Sequence, residues 1–302
     1  MDSGLIIALL SGLAVGFVLS FAVGLAIGFF SGLLGIGGGT LMVPAFKLGF
    51  AMDAIAATAT SLFTIIPTSL AGFAAHLRRG TCIPKIGVAA GLAGAVTSPL
   101  GVWLASRSQD WMIMAVAALV IGYSAFTMLR KGLAMPRGKA AEGGGEPRRS
   151  VSASESDPEP ASEPTPEPAS LPAAPTVTAR MLSQAGLIGM MAGLASGYVG
   201  VGGGFLMVPL FMNVLKTPMK LTSGTSLIAV MILAVPGVVY QAWLGNIDWL
   251  AGIAVALGSV PGAALGARLV PRVPERALRL TFGCFLLFAA AMLLVDQLAP
   301  LR

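Results

Sequence analysis

The chain has 302 residues, of which 56% are hydrophobic and only 11% are charged, whereas a soluble domain averages about 25% charged residues. This composition excludes a soluble enzyme and indicates an integral membrane protein. The net charge is +6, but no basic run lies beside stacking aromatic residues, so we expect no nucleic-acid partner. One histidine and two cysteines provide no metal-ligand cluster and no disulfide framework, so we also expect no metal, no cofactor and no catalytic residue.

Apolar stretches follow one another along the chain, and a membrane span needs roughly 20 apolar residues. In the first half they cover approximately 18–34, a short 40–50, 54–76, 86–106 and 111–130. In the second half they cover approximately 183–199, a short 205–215, 219–242, 249–267 and 277–295. Residues 5–17 extend the first span, and because no Lys or Arg precedes them we expect an uncleaved helix and not a signal peptide. We therefore predict two all-helical transmembrane repeats, over residues 1–130 and 181–302.

Between the two repeats, residues 131–180 are rich in Pro, Glu, Ser, Ala and Gly and nearly lack large aliphatic side chains. Such a segment cannot bury enough apolar surface to offset its ordering entropy. The sequence predicts a disordered linker outside the membrane. A regulated docking segment is the alternative.

The two halves contain a duplicated segment. GLLGIGGGTLMVPAF at 32–46 and GYVGVGGGFLMVPLF at 197–211 agree at ten of fifteen positions, with an offset of 165 residues. The same offset brings ATATSL at 57–62 onto TSGTSL at 222–227 without a gap. Internal duplication around a Gly- and Pro-interrupted segment is typical of secondary transporters.

The basic residues indicate how the repeats are oriented. If each short stretch crosses the membrane, each half has five spans and the copies must be inverted, giving eight to ten transmembrane helices. With the linker in the cytoplasm, sixteen of the nineteen Lys and Arg residues then lie inside, and only Lys47, Arg107 and Arg302 lie outside. If the short stretches do not cross, the copies are parallel and the better orientation places eleven inside and eight outside. The positive-inside rule favours inverted repeats in the cell (inner) membrane with a cytoplasmic linker.

Consecutive glycines interrupt the apolar run of each copy, and this pattern predicts a helix broken near the membrane midplane. Lipid tolerates broken backbone only where it packs against protein or lines a polar cavity. A helix that restarts after the glycines points unpaired N–H groups into that cavity, which makes an anion site without a basic side chain. Close helix crossing is the alternative. The predicted binding residues of this element are Gly37, Gly38, Gly39, Thr40, Gly202, Gly203 and Gly204.

A second polar feature is the hydroxyl-rich start of the span that follows each short stretch. We predict that it donates further hydrogen bonds to the anion, from Thr58, Thr60, Ser61, Ser223, Thr225 and Ser226. Helix caps or interhelical hydrogen bonds are the alternative. Pro44 and Pro209 fall early in the restarted helices, and we interpret both as structural.

Few other polar residues lie within the predicted spans. No Asp, Glu, Lys or Arg lies deep in a span, and this absence favours an anion over a cation or a proton relay. We interpret His76 as a solvated residue at the membrane interface and Cys82 and Cys284 as packing residues. Residues that could line the route, or equally pack between helices, are Asn213, Tyr240 and Gln241.

The doubled G-[LIVY]-[LV]-G-[IV]-G-G-G-x-L-x-V-P pattern resembles the TauE/SafE sulfite exporter family, also called the 4-toluene sulfonate uptake permeases. The resemblance covers both halves and excludes the linker, which is unusually long for the family. It implies that the cargo is a small sulfur-containing anion, such as sulfite, a sulfonate or sulfoacetate. It places the family's glycine motifs on Gly35, Gly37, Gly38 and Gly39 and on Gly200, Gly202, Gly203 and Gly204.

We therefore predict a secondary transporter that moves a small anion across the cell membrane by alternating access. The anion is a sulfite, an organosulfonate or a related oxyanion or carboxylate, and the expected partners are this substrate and the lipid bilayer. An anion channel with the same site is one rival. A membrane scaffold or sensor that docks a partner through the linker is another, and the sequence leaves the oligomeric state open.

Overall fold

The computed structural model describes residues 3–135 and 177–298, with side chains for 16–135 and 177–292, and all regular structure in these residues is helical. The prediction of an all-helical fold is therefore confirmed. The first repeat contains α1 (Ser3–Leu34), α2 (Gly39–Pro44), a π-helical turn (Ala45–Gly49), α3 (Ala54–Leu77), α4 (Pro84–Ala105) and α5 (Asp110–Ala134). The second contains α6 (Ala179–Val199), α7 (Gly204–Val214), α8 (Met219–Trp243), α9 (Trp249–Leu269), a 3-10 turn (Val270–Arg272) and α10 (Glu275–Leu298).

The described helices are those of a multi-pass membrane protein. Six stretches are long and apolar enough to cross a membrane, namely Gly16–Leu34, Ala54–Leu77, Pro84–Ala105, Asp110–Ala134, Met219–Trp243 and Trp249–Arg272. Their outward side chains are apolar too, since Val96, Leu119 and Trp243 are 74%, 73% and 80% exposed. Large apolar side chains on the outside of a bundle require lipid as their solvent.

The boundaries of the predicted linker differ slightly from the observed helix ends. Helix α5 continues through Ala134 and α6 begins at Ala179, so both ends of the 131–180 segment are helical. The remainder of the predicted linker, residues 136–176, lies outside the described residues.

Local sequence explains where several helices begin. The Asp53 carboxylate accepts a hydrogen bond from the N–H of Ala56 at 3.2 Å, and Asp248 accepts one from Ala251 at 3.0 Å. These are N-caps, which pair backbone donors that the first helical turn leaves free. Helix α4 begins instead with Pro84, whose missing N–H is no loss at that position.

Small residues bring the first helix of each repeat into backbone contact with the fourth helix of the other. A Cβ atom added to Gly28 on α1 would lie 2.1 Å from the carbonyl oxygen of Ser259 on α9. At the corresponding positions, a Cβ atom on Gly193 of α6 would lie 2.2 Å from the carbonyl oxygen of Gly94 on α4. Each helix pair makes the same kind of contact one helical turn earlier and one turn later. The duplicated sequences therefore make equivalent contacts, exchanged between the two halves.

The order of these contacts gives the direction of the helices. Gly24, Gly28 and Gly32 meet Val255, Ser259 and Ala263 in that order, so α1 and α9 run in the same direction. By the same reasoning α4 and α6 run in the same direction, because Gly189, Gly193 and Gly197 meet Ala90, Gly94 and Ser98.

Helices α3 and α8, which correspond to each other in the duplication, cross at the centre of the bundle. Gly237 faces Leu62 near the start of α3, whereas Gly224 faces His76 near its end. The two helices are therefore antiparallel. Helix α3 also packs beside α9 and runs in the same direction, since Thr60 contacts Asp248 and Thr68 contacts Ser259.

The close approach of α1 and α9 gives a first prediction. Replacing Gly28 by Ala places a methyl group against backbone that cannot move aside, so the free energy of unfolding should fall by about 1–3 kcal/mol. Thermal unfolding of the purified protein in detergent measures this change. Gly16→Ala is the matched control on the same helix, because nothing lies within 4 Å of its added Cβ. Equal melting temperatures for the two variants would contradict the packing described here.

Candidate functional site

The glycine clusters break the helices at the predicted positions. Helix α1 ends at Leu34 and α2 begins at Gly39, and in the second repeat α6 ends at Val199 and α7 begins at Gly204. Three glycines in each break have left-handed φ angles, at 76°, 80° and 87° for Gly35, Gly37 and Gly38 and at 73°, 79° and 67° for Gly200, Gly202 and Gly203. Side chains other than glycine are strained in this conformation.

The two breaks lie against each other in the interior. A Cβ atom on Gly39 would lie 2.3 Å from the carbonyl oxygen of Val201, and one on Gly204 would lie 2.4 Å from the carbonyl oxygen of Ile36. Residues 36–40 and 200–205 are all buried, so this contact is closed to solvent in the described conformation. The centre of the bundle is therefore made of backbone, and each repeat supplies half of it.

Apolar side chains of the two crossing helices flank the breaks. Ile65 of α3 and Val230 of α8 correspond to each other at the offset of 165. Each of them contacts both Gly37 and Gly202. These two side chains offer the polar backbone no hydrogen bond.

Backbone donors remain unpaired within each break. Among the hydrogen bonds of the described residues, none is donated by the N–H of Gly37 or Gly38, and none by the N–H of Gly202 or Gly203. Gly38 and Gly203 are also the N-caps of α2 and α7, and neither cap has a side-chain hydrogen bond. Because an unpaired buried N–H is costly, these groups are available to a ligand that accepts hydrogen bonds.

The predicted hydroxyl residues connect the two repeats. Ser61 donates to the carbonyl oxygen of Gly200 at 2.9 Å, and Ser226 donates to that of Gly35 at 2.7 Å. Each serine thus holds the glycine break of the other repeat. Two threonines form a second symmetric pair of bonds, since Thr60 accepts from the N–H of Asp248 at 3.0 Å and Thr225 accepts from that of Ile83 at 2.8 Å.

These bonds change the role that the hydroxyls can have. Thr58, Ser223 and Thr225 donate to carbonyl oxygens of their own helices, those of Ile55, Met219 and Leu221. With Ser61 and Ser226, five of the six predicted hydroxyls use their single O–H on a carbonyl. In this conformation they hold protein together and have no donor left for an anion. The alternative of interhelical hydrogen bonds describes the observed contacts better than the anion-binding expectation does.

Three buried hydroxyls near the first break have no partner at all. The side-chain oxygens of Ser31, Thr40 and Ser69 are unpaired, and all three residues have no exposed surface. Thr40 was among the predicted residues, whereas Ser31 and Ser69 were not. Ser31 could have been found from the duplication, because Ser196 occupies the corresponding position. No sequence signal distinguishes Ser69 from the serines and threonines around it.

Both prolines lie inside the restarted helices. Pro44 ends α2 immediately before the π-helical turn, and Pro209 lies in the middle of α7. A proline donates no hydrogen bond, so the carbonyls four residues earlier, those of Thr40 and Phe205, lose their helical partner. The position of Pro44 before the π-helical turn is consistent with a structural role.

His76 is not a solvated interface residue, and that interpretation was wrong. It is fully buried, its Nε2 donates to the carbonyl oxygen of Gly32 at 3.0 Å, and its Nδ1 lies 2.7 Å from the Thr81 hydroxyl. The corresponding residues in the second repeat are Gln241 and Asn246, whose side chains also bond each other, at 2.7 Å. Burial excludes solvent because α3 packs between α1 and α8 at this level.

The remaining polar candidates have ordinary partners. The Asn213 side chain accepts a hydrogen bond from Lys131, which connects α7 to α5. Cys82 and Cys284 are both free, and burial raises the pKa of the Cys82 thiol, so that it stays protonated near neutral pH.

Among the described residues no Lys, Arg, Asp or Glu is buried. The centre of the bundle therefore offers a ligand only hydrogen bonds and no side-chain charge.

A bundle of apolar helices with two broken helices meeting in its interior is the architecture of a membrane transporter. The comparison with known families identifies it further. The chain belongs to the sulfite exporter TauE/SafE family, whose model matches residues 19–293. This is a family of membrane transporters and not of enzymes.

Several curated proteins resemble the chain over most of their length. It is 23% identical over 272 residues to the probable membrane transporter protein YunE of Bacillus subtilis (strain 168), covering 87% of this chain and 92% of that one. It is 25% identical over 263 residues to a probable membrane transporter protein of Xylella fastidiosa (strain 9a5c), covering 86% and 87%. It is also 25% identical over 249 residues to the probable membrane transporter protein YdhB of Bacillus subtilis, covering 82% and 88%. No solved structure matches the chain significantly.

The hydrogen bonds between the repeats give a second prediction. Ser61→Ala leaves the buried carbonyl of Gly200 without its partner, so the free energy of unfolding should fall by about 1–3 kcal/mol, and Ser226→Ala should do the same. Ser223→Ala is the control, because that hydroxyl bonds only within its own helix. Chemical unfolding in detergent compares the three variants. A larger loss for Ser223→Ala than for the other two would contradict the proposed link.

The buried histidine gives a third prediction. His76→Leu removes the partners of both the Gly32 carbonyl and the Thr81 hydroxyl, which should lower the free energy of unfolding by about 2 kcal/mol or more. His76→Gln should retain most of the stability, because glutamine occupies the corresponding position of the second repeat. Thermal unfolding in detergent tests the pair. A leucine variant as stable as the glutamine variant would show that these bonds contribute nothing.

Proposed function

We propose that this protein is a secondary transporter that moves a small anion across the cell (inner) membrane by alternating access. Sulfite, an organosulfonate or a related oxyanion or carboxylate is the expected cargo. The observation that carries the proposal is the pair of glycine breaks, which meet in the interior with unpaired N–H groups on both sides. Unpaired N–H groups and the positive ends of helices attract negative charge.

The lack of buried side-chain charge supports an anion over a cation. A cation in the membrane interior needs carboxylates or a set of converging carbonyl oxygens. Two of the carbonyls at the breaks, those of Gly35 and Gly200, already accept hydrogen bonds from Ser226 and Ser61. The N–H groups of Gly37, Gly38, Gly202 and Gly203 remain available as donors, and donors bind anions.

The proposed repeats are inverted in the membrane. The support is the direction of corresponding helices: α3 and α8 are antiparallel, and α1 runs with α9 whereas its counterpart α6 runs with α4. Repeats of this kind usually place the substrate site at their interface, near the middle of the bilayer. We propose that α6 and α10 also cross the membrane, as their counterparts α1 and α5 do, and that the linker is cytoplasmic.

The contact between the two breaks supports alternating access. In the described conformation the breaks are buried and in contact, and we interpret this conformation as closed to both sides of the membrane. An anion reaches the site only when one repeat moves relative to the other. Since the two breaks lie against each other, one on each repeat, a rocking motion of the repeats opens the space between them first to one side and then to the other.

The glycine break provides the test of this function. Gly38→Val forces a β-branched side chain into a left-handed conformation, with φ at 87°, at the N-cap of α2. We expect at least a tenfold loss of anion flux, because the unpaired N–H groups lose their geometry. Counterflow of labelled sulfite or methanesulfonate in proteoliposomes measures the flux and also separates a carrier from a pore, which does not exchange.

The control is Gly49→Ala, since that glycine is exposed and nothing lies within 4 Å of an added Cβ. It should retain flux, and both variants should be present in the membrane fraction at comparable amounts. Unchanged counterflow in the inserted Gly38→Val variant would remove the glycine break from the mechanism.

A further inference from the structure

We propose that the two repeats do not share the anion equally, and that it binds to the first repeat, at the hydroxyls of Ser31, Thr40 and Ser69 beside the N–H groups of Gly37 and Gly38. We further infer that this site selects a monovalent oxyanion over a divalent one. The inference rests on the proposed function and specifies where the site lies and which charge it accepts.

The three hydroxyls come from three elements that surround one glycine pair. Ser69 of α3 directs its oxygen at Gly37, since it lies 3.2 Å from the position of an added Cβ. Ser31 of α1 is adjacent to Gly38, with its Cβ 3.4 Å from the corresponding position. Thr40 is the second residue of α2 and follows the break directly.

Unpaired hydroxyls at this depth require an explanation. A buried polar group without a partner costs about 1–3 kcal/mol. Helices in lipid normally avoid this cost by bonding the hydroxyl to a carbonyl of the preceding turn. Thr64 and Thr68 of α3 do so, at 2.8 Å and 2.7 Å, whereas the adjacent Ser69 does not. A ligand that accepts hydrogen bonds would satisfy all three hydroxyls together.

The second repeat lacks this set. At the offset of 165, Ser31 corresponds to Ser196, but Thr40 corresponds to Phe205 and Ser69 to Ala234. Ser196 is also buried and unpaired, and so is Ser98 of α4, which packs against Gly197 one turn before this break, so two free hydroxyls lie near the second break and three near the first. Phe205 is completely buried among apolar residues. Two of the three positions that carry free hydroxyls at the first break, those of Thr40 and Ser69, are thus apolar at the second.

Selection by charge follows from the absence of buried cations. The cost of removing an ion from water grows with the square of its charge, so a divalent anion loses about four times the hydration free energy of a monovalent one. Sites that bind divalent oxyanions gain strength from the charge-assisted hydrogen bonds of Arg or Lys. No Lys or Arg is buried among the described residues, and hydroxyl and amide groups bring no full charge.

Ligand binding to the purified full-length protein tests the proposal. The probes are methanesulfonate, which is monovalent, and sulfate, which is divalent, and stabilisation against heat is measured as a function of probe concentration. For the wild-type protein we expect methanesulfonate to bind at least tenfold more tightly than sulfate. Ser31→Ala, Thr40→Val and Ser69→Ala should each weaken methanesulfonate binding about tenfold, as expected for loss of one hydrogen bond to a charged group.

Two comparisons separate ligand binding from a structural role. Ser196→Ala removes the matching hydroxyl of the second repeat and should change the affinity less than twofold. Without ligand, Ser31→Ala and Ser69→Ala should melt at or above the wild-type temperature, because each removes an unpaired buried group. Lower melting temperatures in the absence of ligand would indicate structural hydroxyls and overturn the proposal.

The remaining outcomes are equally distinct. Methanesulfonate binding that survives all three substitutions, or is weakened as much by Ser196→Ala, overturns the asymmetric site and leaves the transport of anions intact. Sulfate binding as tight as methanesulfonate binding overturns the selection by charge. A wild-type protein that neither binds nor transports methanesulfonate, sulfite or sulfate overturns the proposed function together with this inference.

Discussion

The main constraint on this structure is that the two glycine breaks bury backbone N–H groups in an apolar interior without hydrogen-bond partners. A continuous helix would pair every one of these groups within itself, and membrane proteins interrupt helices only where something else satisfies the freed groups. Here the left-handed glycines make the interruption, and the two interruptions exclude lipid by packing against each other. The carbonyls of Gly35 and Gly200 accept hydrogen bonds from Ser226 and Ser61, whereas the N–H groups of the glycine pairs 37–38 and 202–203 donate none. Under the proposed function, these free donors bind an anion without any charged side chain.

The duplication explains how one ancestral unit supplies both glycine breaks and both serines that bond to them. Each break receives a hydrogen bond from the other repeat, through Ser61 on Gly200 and Ser226 on Gly35. The same exchange operates along the glycine contacts of α1 with α9 and of α6 with α4. Small residues let these backbones approach closely, which is the main source of packing energy between helices in lipid. The helix contacts and the serine bonds are therefore equivalent in the two repeats, whereas the side chains at single positions differ, as Thr40 and Phe205 do.

The sequence was sufficient for the helices, the duplication and the breaks, because each leaves a local pattern of apolar length or consecutive glycines. It was insufficient for the hydroxyls, whose roles depend on distant partners. Ser61 bonds a carbonyl 139 residues away, and nothing in ATATSL distinguishes that bond from a free donor. Ser69 shows the converse, since a serine inside a helix normally bonds its own backbone and only the fold shows that this one does not. His76 was misjudged because the adjacent Arg78 and Arg79 indicated solvent, whereas α1 and α8 cover the ring.

Unpaired donors in the closed form also bear on how a carrier differs from a pore. In the proposed transport cycle, solvent satisfies the free amides and hydroxyls when the centre opens to water. When the centre closes empty, these groups lose their partners and the closed form becomes costly. A bound anion supplies the missing acceptors at that point, so its differential affinity favours the closed form over both open ones. The loaded protein then passes through the closed form more readily than the empty one. Under the proposed mechanism, the groups that make the centre anion-selective therefore also favour exchange of anions over uncoupled leakage.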